Sequence, residues 1–382
     1  MLDLRRQYEP LRPELLDALN HVLETQCFIL GEPVAAFEQI AAKQLGVNHA
    51  IGCSSGTDAL WLAMVSAGIG PGASVVTTPF SFFASVSSIL RAGAAAVLAD
   101  IDPVTFNLSP ATAESVLNSP AAAQAKAILP VHLYGQCADG SAFAGLAAQR
   151  NLLLIEDAAQ AWGAAQTGPG GETRSAGSLG DAAAFSFYPT KNLSAAGDAG
   201  MVTTNRPEIA ERARMLRQHG MRRRYYHDEL GWNTRLDGFQ AAILQVKLKY
   251  IDGWNDARRR IAERYHTLFH AAGLAEPGPY PVHGIVLPTE AQGAHHVWHQ
   301  YVIRSHRRDE LRAFLSSRHI GSEIYYPVPL HLQEALKCLG YREGDFPEAE
   351  RAAREVLALP LFPELRDDEQ ETVVSAVAEF LS

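Results

Sequence analysis

Three segments of this sequence hold residue types whose spacing could do chemistry. In the first, Cys53-Ser54-Ser55-Gly56-Thr57-Asp58-Ala59-Leu60, small and hydroxyl residues close an apolar run and open a helical one. Small residues let the backbone approach a ligand, and the free N–H groups of a helix start favour a phosphate. A plain Ser or Thr N-cap would leave the same trace. In the second, Leu152-Leu153-Leu154-Ile155-Glu156-Asp157-Ala158-Ala159-Gln160, an aliphatic strand ends in two carboxylates. One of them then sits at the strand's carboxyl end, where α/β enzymes place reactive groups. Buried there, it needs a cationic or N–H partner, and a protonated heterocycle would serve; a solvated strand end is the competing reading. In the third, Ala184-Phe185-Ser186-Phe187-Tyr188-Pro189-Thr190-Lys191-Asn192-Leu193, a lysine follows an apolar β-run, with Gly197 and Gly200 behind it. Most lysines are surface solvators, but one taken out of water loses its proton more easily and can attack a carbonyl.

The three segments together say more than each alone. Pyridoxal phosphate requires an anion cradle, a partner for its ring nitrogen and an amine for its aldehyde. Those groups come in that order along this chain. No G-x-G-x-x-G follows a strand and no G-x-x-x-x-G-K-[ST] occurs, which disfavours a dinucleotide and a P-loop.

The elements that must position these residues are short. Candidate strands are Ala50 to Cys53, Ser74 to Thr77, Ala95 to Ala99, Ala127 to Val131, Leu152 to Ile155, Ala182 to Phe187 and Met201 to Thr204. Helical stretches such as Asp58 to Ala67 and Ser85 to Ala92 lie between them. Nearly all-apolar strands separated by helices predict a mostly parallel sheet covered on both faces. A long helical pattern from Leu236 to Ala271, broken near Asp252-Gly253, leads to a tail with a strand at Gln300 to Arg304. A helix at Asp309 to His319, a short strand near Gly321 to Tyr325 and further helices complete it. The pattern predicts a large α/β domain over 1–245 and a smaller α+β domain over 246–382.

Composition narrows the function classes. The 382 residues carry 33 basic and 42 acidic side chains, a net charge of −9, which opposes a general nucleic-acid binder. Four scattered cysteines suit a reducing compartment, and the N-terminus lacks the apolar core of a signal peptide. The most apolar stretch, Ile89 to Ile101, is interrupted by Arg91 and Asp100, so no membrane span is expected. The expectation is a cytoplasmic protein with no membrane or nucleic-acid partner. His295, His296 and His299 have no carboxylate or cysteine beside them, so no metal site is expected.

At the level of ordered motifs, the sequence resembles the DegT/DnrJ/EryC1/StrS sugar aminotransferases, of the aspartate-aminotransferase fold type I. The likeness runs from Leu2-Asp3-Leu4 and Phe28-Ile29-Leu30-Gly31 through Ser55-Gly56-Thr57-Asp58-Ala59-Leu60 and Pro130-Val131-His132-Leu133-Tyr134-Gly135-Gln136. It continues in Glu156-Asp157-Ala158-Ala159-Gln160, Ser186-Phe187-Tyr188-Pro189-Thr190-Lys191-Asn192, Asn233-Thr234-Arg235-Leu236-Asp237 and Tyr326-Pro327-Val328-Pro329-Leu330-His331.

The resemblance implies a role for each matching residue. Lys191 would form the Schiff base with pyridoxal 5'-phosphate and later move the proton. Asp157 would hold the pyridine nitrogen protonated, and Gln160 would lie beside the phenolic oxygen. Gly56, Thr57 and Ser186 would cradle the phosphate. Phe82 would stack on the ring, a core phenylalanine being the alternative. Asn233 would reach the phosphate from a neighbouring subunit, which implies a homodimer with shared sites. Tyr188, Tyr326 and His331 would line the nucleotide-sugar pocket, with a hydrogen-bonded framework as the alternative for Tyr188 and His331. Arg224 and His227 belong to a loop near the partner's site, where a substrate phosphate or a donor carboxylate is the implied ligand. Local cations at Arg222 to Arg224 and Arg235 would receive that anionic substrate on an acidic protein.

The implied reaction is ping-pong amination of a nucleotide-linked keto sugar, dTDP- or UDP-linked, with glutamate as donor. The Pro130 to Gln136 segment and Arg224-Tyr225-Tyr226-His227 look more like the group acting at C-3 of the hexose. Amination at C-4 or of a keto-cyclitol, and a cofactor-binding regulator without turnover, are the alternatives. Tyr325 stands where many members carry histidine, which affects substrate contacts there. Lys191 argues against the dehydratase branch, which replaces that lysine with histidine.

Overall fold

The computed structural model describes residues 1–382. Two helices, α1 (Leu4–Thr25) and α2 (Gly31–Leu45), precede the first strand. The central sheet then builds from β1 (His49–Cys53), β2 (Ser74–Thr77), β3 (Ala95–Leu98), β4 (Ala125–Leu129) and β5 (Leu153–Asp157). After the short strands β6 (Ala165–Thr167) and β7 (Thr173–Ser175), it is completed by β8 (Ala182–Ser186) and β9 (Gly200–Thr204). The spatial order is β1-β9-β8-β5-β4-β2-β3, and only β9 runs against the others. All seven strands predicted from short apolar runs are therefore present.

Alternation along the strands feeds two cores. Val75, Leu129 and Ile155 pack with α3 (Gly56–Ser66), α4 (Ala84–Arg91) and α7 (Pro207–Leu216) on one face. Their neighbours Val76, Ile128 and Leu154 pack with α5 (Pro110–Leu117) and α6 (Gly140–Arg150) on the other. Each fully buried aliphatic side chain contributes about 1.5–3 kcal/mol, so a sheet covered on both faces fixes its strand ends firmly. Beyond β9, a hairpin of β10 (Met221–Arg223) and β11 (Tyr226–His227) projects from the sheet domain.

The C-terminal part follows α8 (Gly238–Leu248) and α9 (Ile251–Ala271). The break between these helices lies at Lys249-Tyr250, not at Asp252-Gly253, and Gly253 sits inside α9. The division expected between 245 and 246 falls in the last turn of α8. Next come β12 (Ala294–His295), which pairs with β6, then β13 (Tyr301–Arg304), α10 (Arg308–Ser317), α11 (Pro347–Glu355), β14 (Val356–Leu359) and α12 (Asp367–Leu381). The strand β13 pairs antiparallel with β14, a segment the sequence reading assigned to helix. Four apolar residues directly after a helix have no period of their own to distinguish strand from helix. The strand expected near Gly321 to Tyr325 reduces to a single bridge between Glu323 and Ala358. Arg6 in α1 makes a two-pronged ion pair with Glu369 in α12 (2.7 and 2.6 Å), which ties the N-terminal helix to the C-terminal part. No helix is long and apolar enough to cross a membrane.

Candidate active site

A cavity of about 580 Å³ opens at the carboxyl ends of the central strands. One wall is the start of α3. Ser55 caps that helix, its hydroxyl accepting the Asp58 N–H at 3.1 Å. Gly56 and Thr57 occupy the first two helical positions, so their N–H groups have no acceptor within the helix. A Cβ on Gly56 would stand 2.5 Å from Cβ of Ser186, at the end of β8, and one on Gly200 would stand 2.2 Å from the Ser55 carbonyl oxygen. Glycine at both positions lets two strand ends close on the helix start. Two unpaired N–H groups, a helix dipole and the Ser186 hydroxyl form a cradle that fits a phosphate.

The strand β5 supplies the carboxylate. Asp157 is 4% exposed; Oδ2 accepts from Ser85 (2.7 Å) and Oδ1 from the Ala159 N–H (3.2 Å). Burial pushes its carboxyl above the usual range, opposed by those two hydrogen bonds and then by Lys191 and His132. No cationic side chain pairs with it, and a protonated ring nitrogen in the cavity would complete it. The adjacent Glu156 points to the other face because strand side chains alternate. It accepts from the Gly177 and Gly180 N–H groups (2.7 and 2.8 Å) and bonds His132 Nε2 at 2.8 Å. The Glu156-Asp157 pair is thus one structural and one cavity-facing carboxylate.

Lys191 lies in the loop between β8 and β9, half-buried on the cavity wall, and its amine has no hydrogen-bond or ion-pair partner in the protein. Burial pushes the amine down to about 8, with Asp157 acting the other way. A larger share of the amine is then neutral at neutral pH than for an ordinary lysine. Gln160 is fixed at both ends, Oε1 accepting from the Tyr134 N–H (2.6 Å) and Nε2 donating to the Tyr326 hydroxyl (3.2 Å). Tyr326 in turn lies with its ring centroid 6.2 Å from that of Phe82. Phe82 is 59% exposed and lines the cavity, so the core reading fails and an open aromatic face is available for stacking. Tyr188 also lines the cavity and is exposed. Lys191, Asp157, Gly56, Thr57, Ser186, Gln160, Phe82, Tyr188 and Tyr326 therefore converge.

Four expected residues do not join them. His331 is corrected to a framework residue: it is 1% exposed, bonds Glu350 at 3.0 Å and packs edge-on against Phe346 rather than lining the cavity. Glu350 is itself held by the Gly344 N–H at 2.8 Å, so the pair anchors a loop of the small domain. Arg224, His227 and Asn233 are exposed on or beside the β10–β11 hairpin, outside this chain's own cavity. His227 Nδ1 meets the His219 carbonyl at 2.8 Å, and the Arg224 guanidinium lies 5.0 Å from the Tyr225 ring. Arg222 is taken up by Glu211 and Asp228, whereas the half-buried Arg235 makes no ion pair.

Among the cavity residues outside the sequence-derived set is a histidine. His296 is framework, stacked on Trp298 at 3.9 Å and pushed down to about 3 by burial, and no three His, Cys, Asp or Glu side chains gather as a metal site. His299, grouped with it, lines the cavity. Nothing in its local sequence separates it from His296; only the approach of β13 to the sheet does.

Comparison with known proteins follows the same lines. The model of the family described as DegT/DnrJ/EryC1/StrS aminotransferase matches residues 10–378. A pleiotropic regulatory protein of Geobacillus stearothermophilus is 49% identical, with 100% of this chain and 98% of that protein covered. A UDP-N-acetyl-3-dehydro-alpha-D-glucosamine 3-aminotransferase of Acidithiobacillus ferrooxidans is 40% identical over 100% of this chain and 97% of its own length. Among solved structures, S. venezuelae DesV in complex with a ketimine intermediate is 41% identical with a TM-score of 0.92, covering 100% of this chain and 97% of that one. NtdA of Bacillus subtilis with bound cofactor PMP is 29% identical with a TM-score of 0.86, covering 98% and 82%.

Proposed function

This chain belongs to the DegT/DnrJ/EryC1/StrS aminotransferase family, and from that premise we propose that it moves an amino group from glutamate to C-3 of a nucleotide-linked keto hexose. It is a pyridoxal-phosphate-dependent transaminase of fold type I. The observation that carries the reading is the pairing, in one cavity, of an unpartnered Lys191 amine with an Asp157 carboxylate that lacks a cation. When bound, pyridoxal phosphate supplies the aldehyde and the electron-accepting ring. The Gly56 and Thr57 N–H groups and the Ser186 hydroxyl would hold the phosphate. Asp157 would keep a proton on the ring nitrogen and Phe82 would offer its exposed face for stacking, while Gln160 is held in place by Tyr134 and Tyr326. Lys191 Nζ would take the proton from the donor's α-carbon and, in the reverse half-reaction, would deliver one to the carbon that receives the amino group.

The C-3 assignment draws on the Acidithiobacillus relative, named for a 3-dehydro sugar. Its test is a panel of UDP- and dTDP-linked 3-keto and 4-keto hexoses with glutamate, read by product mass and 2-oxoglutarate. The expected result is stoichiometric consumption of a 3-keto substrate. Faster turnover of the 4-keto compounds, or of a free keto-cyclitol, would replace that assignment. Cofactor binding with no turnover of any donor would favour a regulator, the role in the Geobacillus relative's name. Four free cysteines suit action in the cytoplasm.

We further propose a homodimer in which the hairpin of one protomer completes the other's site. In its favour, Asn233, Arg224 and His227 are exposed and face no cavity of their own chain. A mixture of two inactive variants, Lys191→Ala and Asn233→Asp, then regains activity after exchange of subunits, because one site of the mixed dimer has both native residues. If Asn233 served its own chain, the mixture would stay inactive.

A further inference from the structure

His299 is 8% exposed and lines the cavity beside Lys191. Its Nδ1 lies 3.0 Å from Oδ1 of Asn192, the residue that follows Lys191. The orientation of Asn192 is decided by its other contacts. Its Nδ2 donates to the Val297 carbonyl (3.0 Å) and to Asn255 Oδ1 (2.9 Å), and Asn255 Nδ2 donates to the Trp162 carbonyl (3.0 Å). A backbone carbonyl can only accept, so both amides are fixed and Asn192 Oδ1 must accept as well. Gly163 keeps this network tight, since a Cβ there would stand 2.5 Å from Asn255 Nδ2.

The proton on His299 is therefore on Nδ1, and Nε2 carries a bare lone pair. Nε2 has no partner within the protein and is not sealed from the cavity. Burial first, then the charges of Lys191, Arg258 and His296, pushes the imidazolium well below its ordinary range. With Nδ1 committed to Asn192, Nε2 is the ring nitrogen left to accept.

We propose that His299 is a positioning residue whose Nε2 accepts a hydrogen bond from the free Lys191 amine and aims it along the cavity wall. This rests on the transaminase reading of the site, in which Lys191 must be released, moved and returned. Asn192 and Asn255 act through His299 by fixing its tautomer.

Two measurements test it. Nitrogen-15 spectra of labelled histidine, taken on the enzyme carrying pyridoxamine phosphate, should show His299 with Nδ1 protonated and Nε2 bare from pH about 6 to about 8. A protonated Nε2 would overturn the proposal whatever the variants do. The second is the donor half-reaction in His299→Phe, which keeps the ring volume without the acceptor, and His299→Gln, which places an amide oxygen near the Nε2 position. His299→Phe should slow that half-reaction roughly tenfold to a hundredfold, the effect of a misplaced reacting group. Half-saturation by glutamate should stay within about twofold, and His299→Gln should recover most of the rate. Equal losses in both variants, or a change confined to KM for the sugar, would overturn it. The donor half-reaction involves no sugar, so a wrong acceptor assignment leaves these readings unchanged.

Discussion

Lys191→Ala should lower turnover by roughly three to four orders of magnitude, the combined worth of a covalent and a proton-moving group. The protein nonetheless keeps its fold, because the Lys191 amine makes no contact that the fold needs. Position, rather than proton affinity, singles this lysine out. Lys247 is also pushed down to about 8 by burial, but its ammonium is bonded to Ser194 at 3.0 Å and it does not line the cavity. Borohydride reduction of the wild-type enzyme, followed by peptide mass measurement, should place the reduced cofactor on Lys191 alone. The alanine variant should carry none. Capture of added cofactor by the empty protein should quicken as pH rises toward about 8, where the amine loses its proton. Wild-type formation of 2-oxoglutarate by the variant, or an adduct on Lys247, would refute the assignment.

Asp157→Asn should act in opposite directions with and without cofactor. The carboxyl of Asp157 is raised by burial in the empty site. A group raised in the folded state contributes stability that is present at low pH and lost as pH climbs through its folded value. At neutral pH the ionised, unpaired Asp157 therefore costs stability, and the asparagine removes that cost. The thermal midpoint of the cofactor-free variant should equal or exceed that of the wild type. With pyridoxal phosphate the sign reverses, since asparagine cannot hold a proton on the ring nitrogen. The cofactor-induced rise in midpoint should shrink as affinity falls, and turnover should drop about 10²- to 10³-fold, as for other preorganised electrostatic groups. An asparagine variant with the wild-type cofactor shift and rate would show that Asp157 faces no cation.

Some of this was legible in the chain because it is local. Each strand of the central sheet is a short run of buried apolar residues, and such runs need no distant partner to be recognised. Strand alternation puts Glu156 and Asp157 on opposite faces, but not which of them meets the cavity; the Gly177 and Gly180 N–H groups, twenty and more residues downstream, decide that. The strand at Val356 to Leu359 was illegible for the same reason, since its only signal is the pairing with β13. Gly56 shows both levels at once. Its place at a helix start is visible in the sequence, while the need for glycine there comes from Ser186, brought to within 2.5 Å of its would-be Cβ by the sheet.

The histidines mark the boundary most clearly. His331 belongs to an ordered motif and His299 to none, yet His331 is locked onto Glu350 in the small domain and His299 stands beside Lys191. By itself the sequence determined the strands of the sheet in chain order, the family and the cofactor, because types and spacings along one chain encode them. Only the tertiary structure decided which side chains share the cavity and which tautomer His299 holds. Those follow from contacts between residues more than a hundred positions apart, such as Asn192 with Val297 and His299. Hydrogen-bond donors and acceptors acquire their roles only when packing selects their partners.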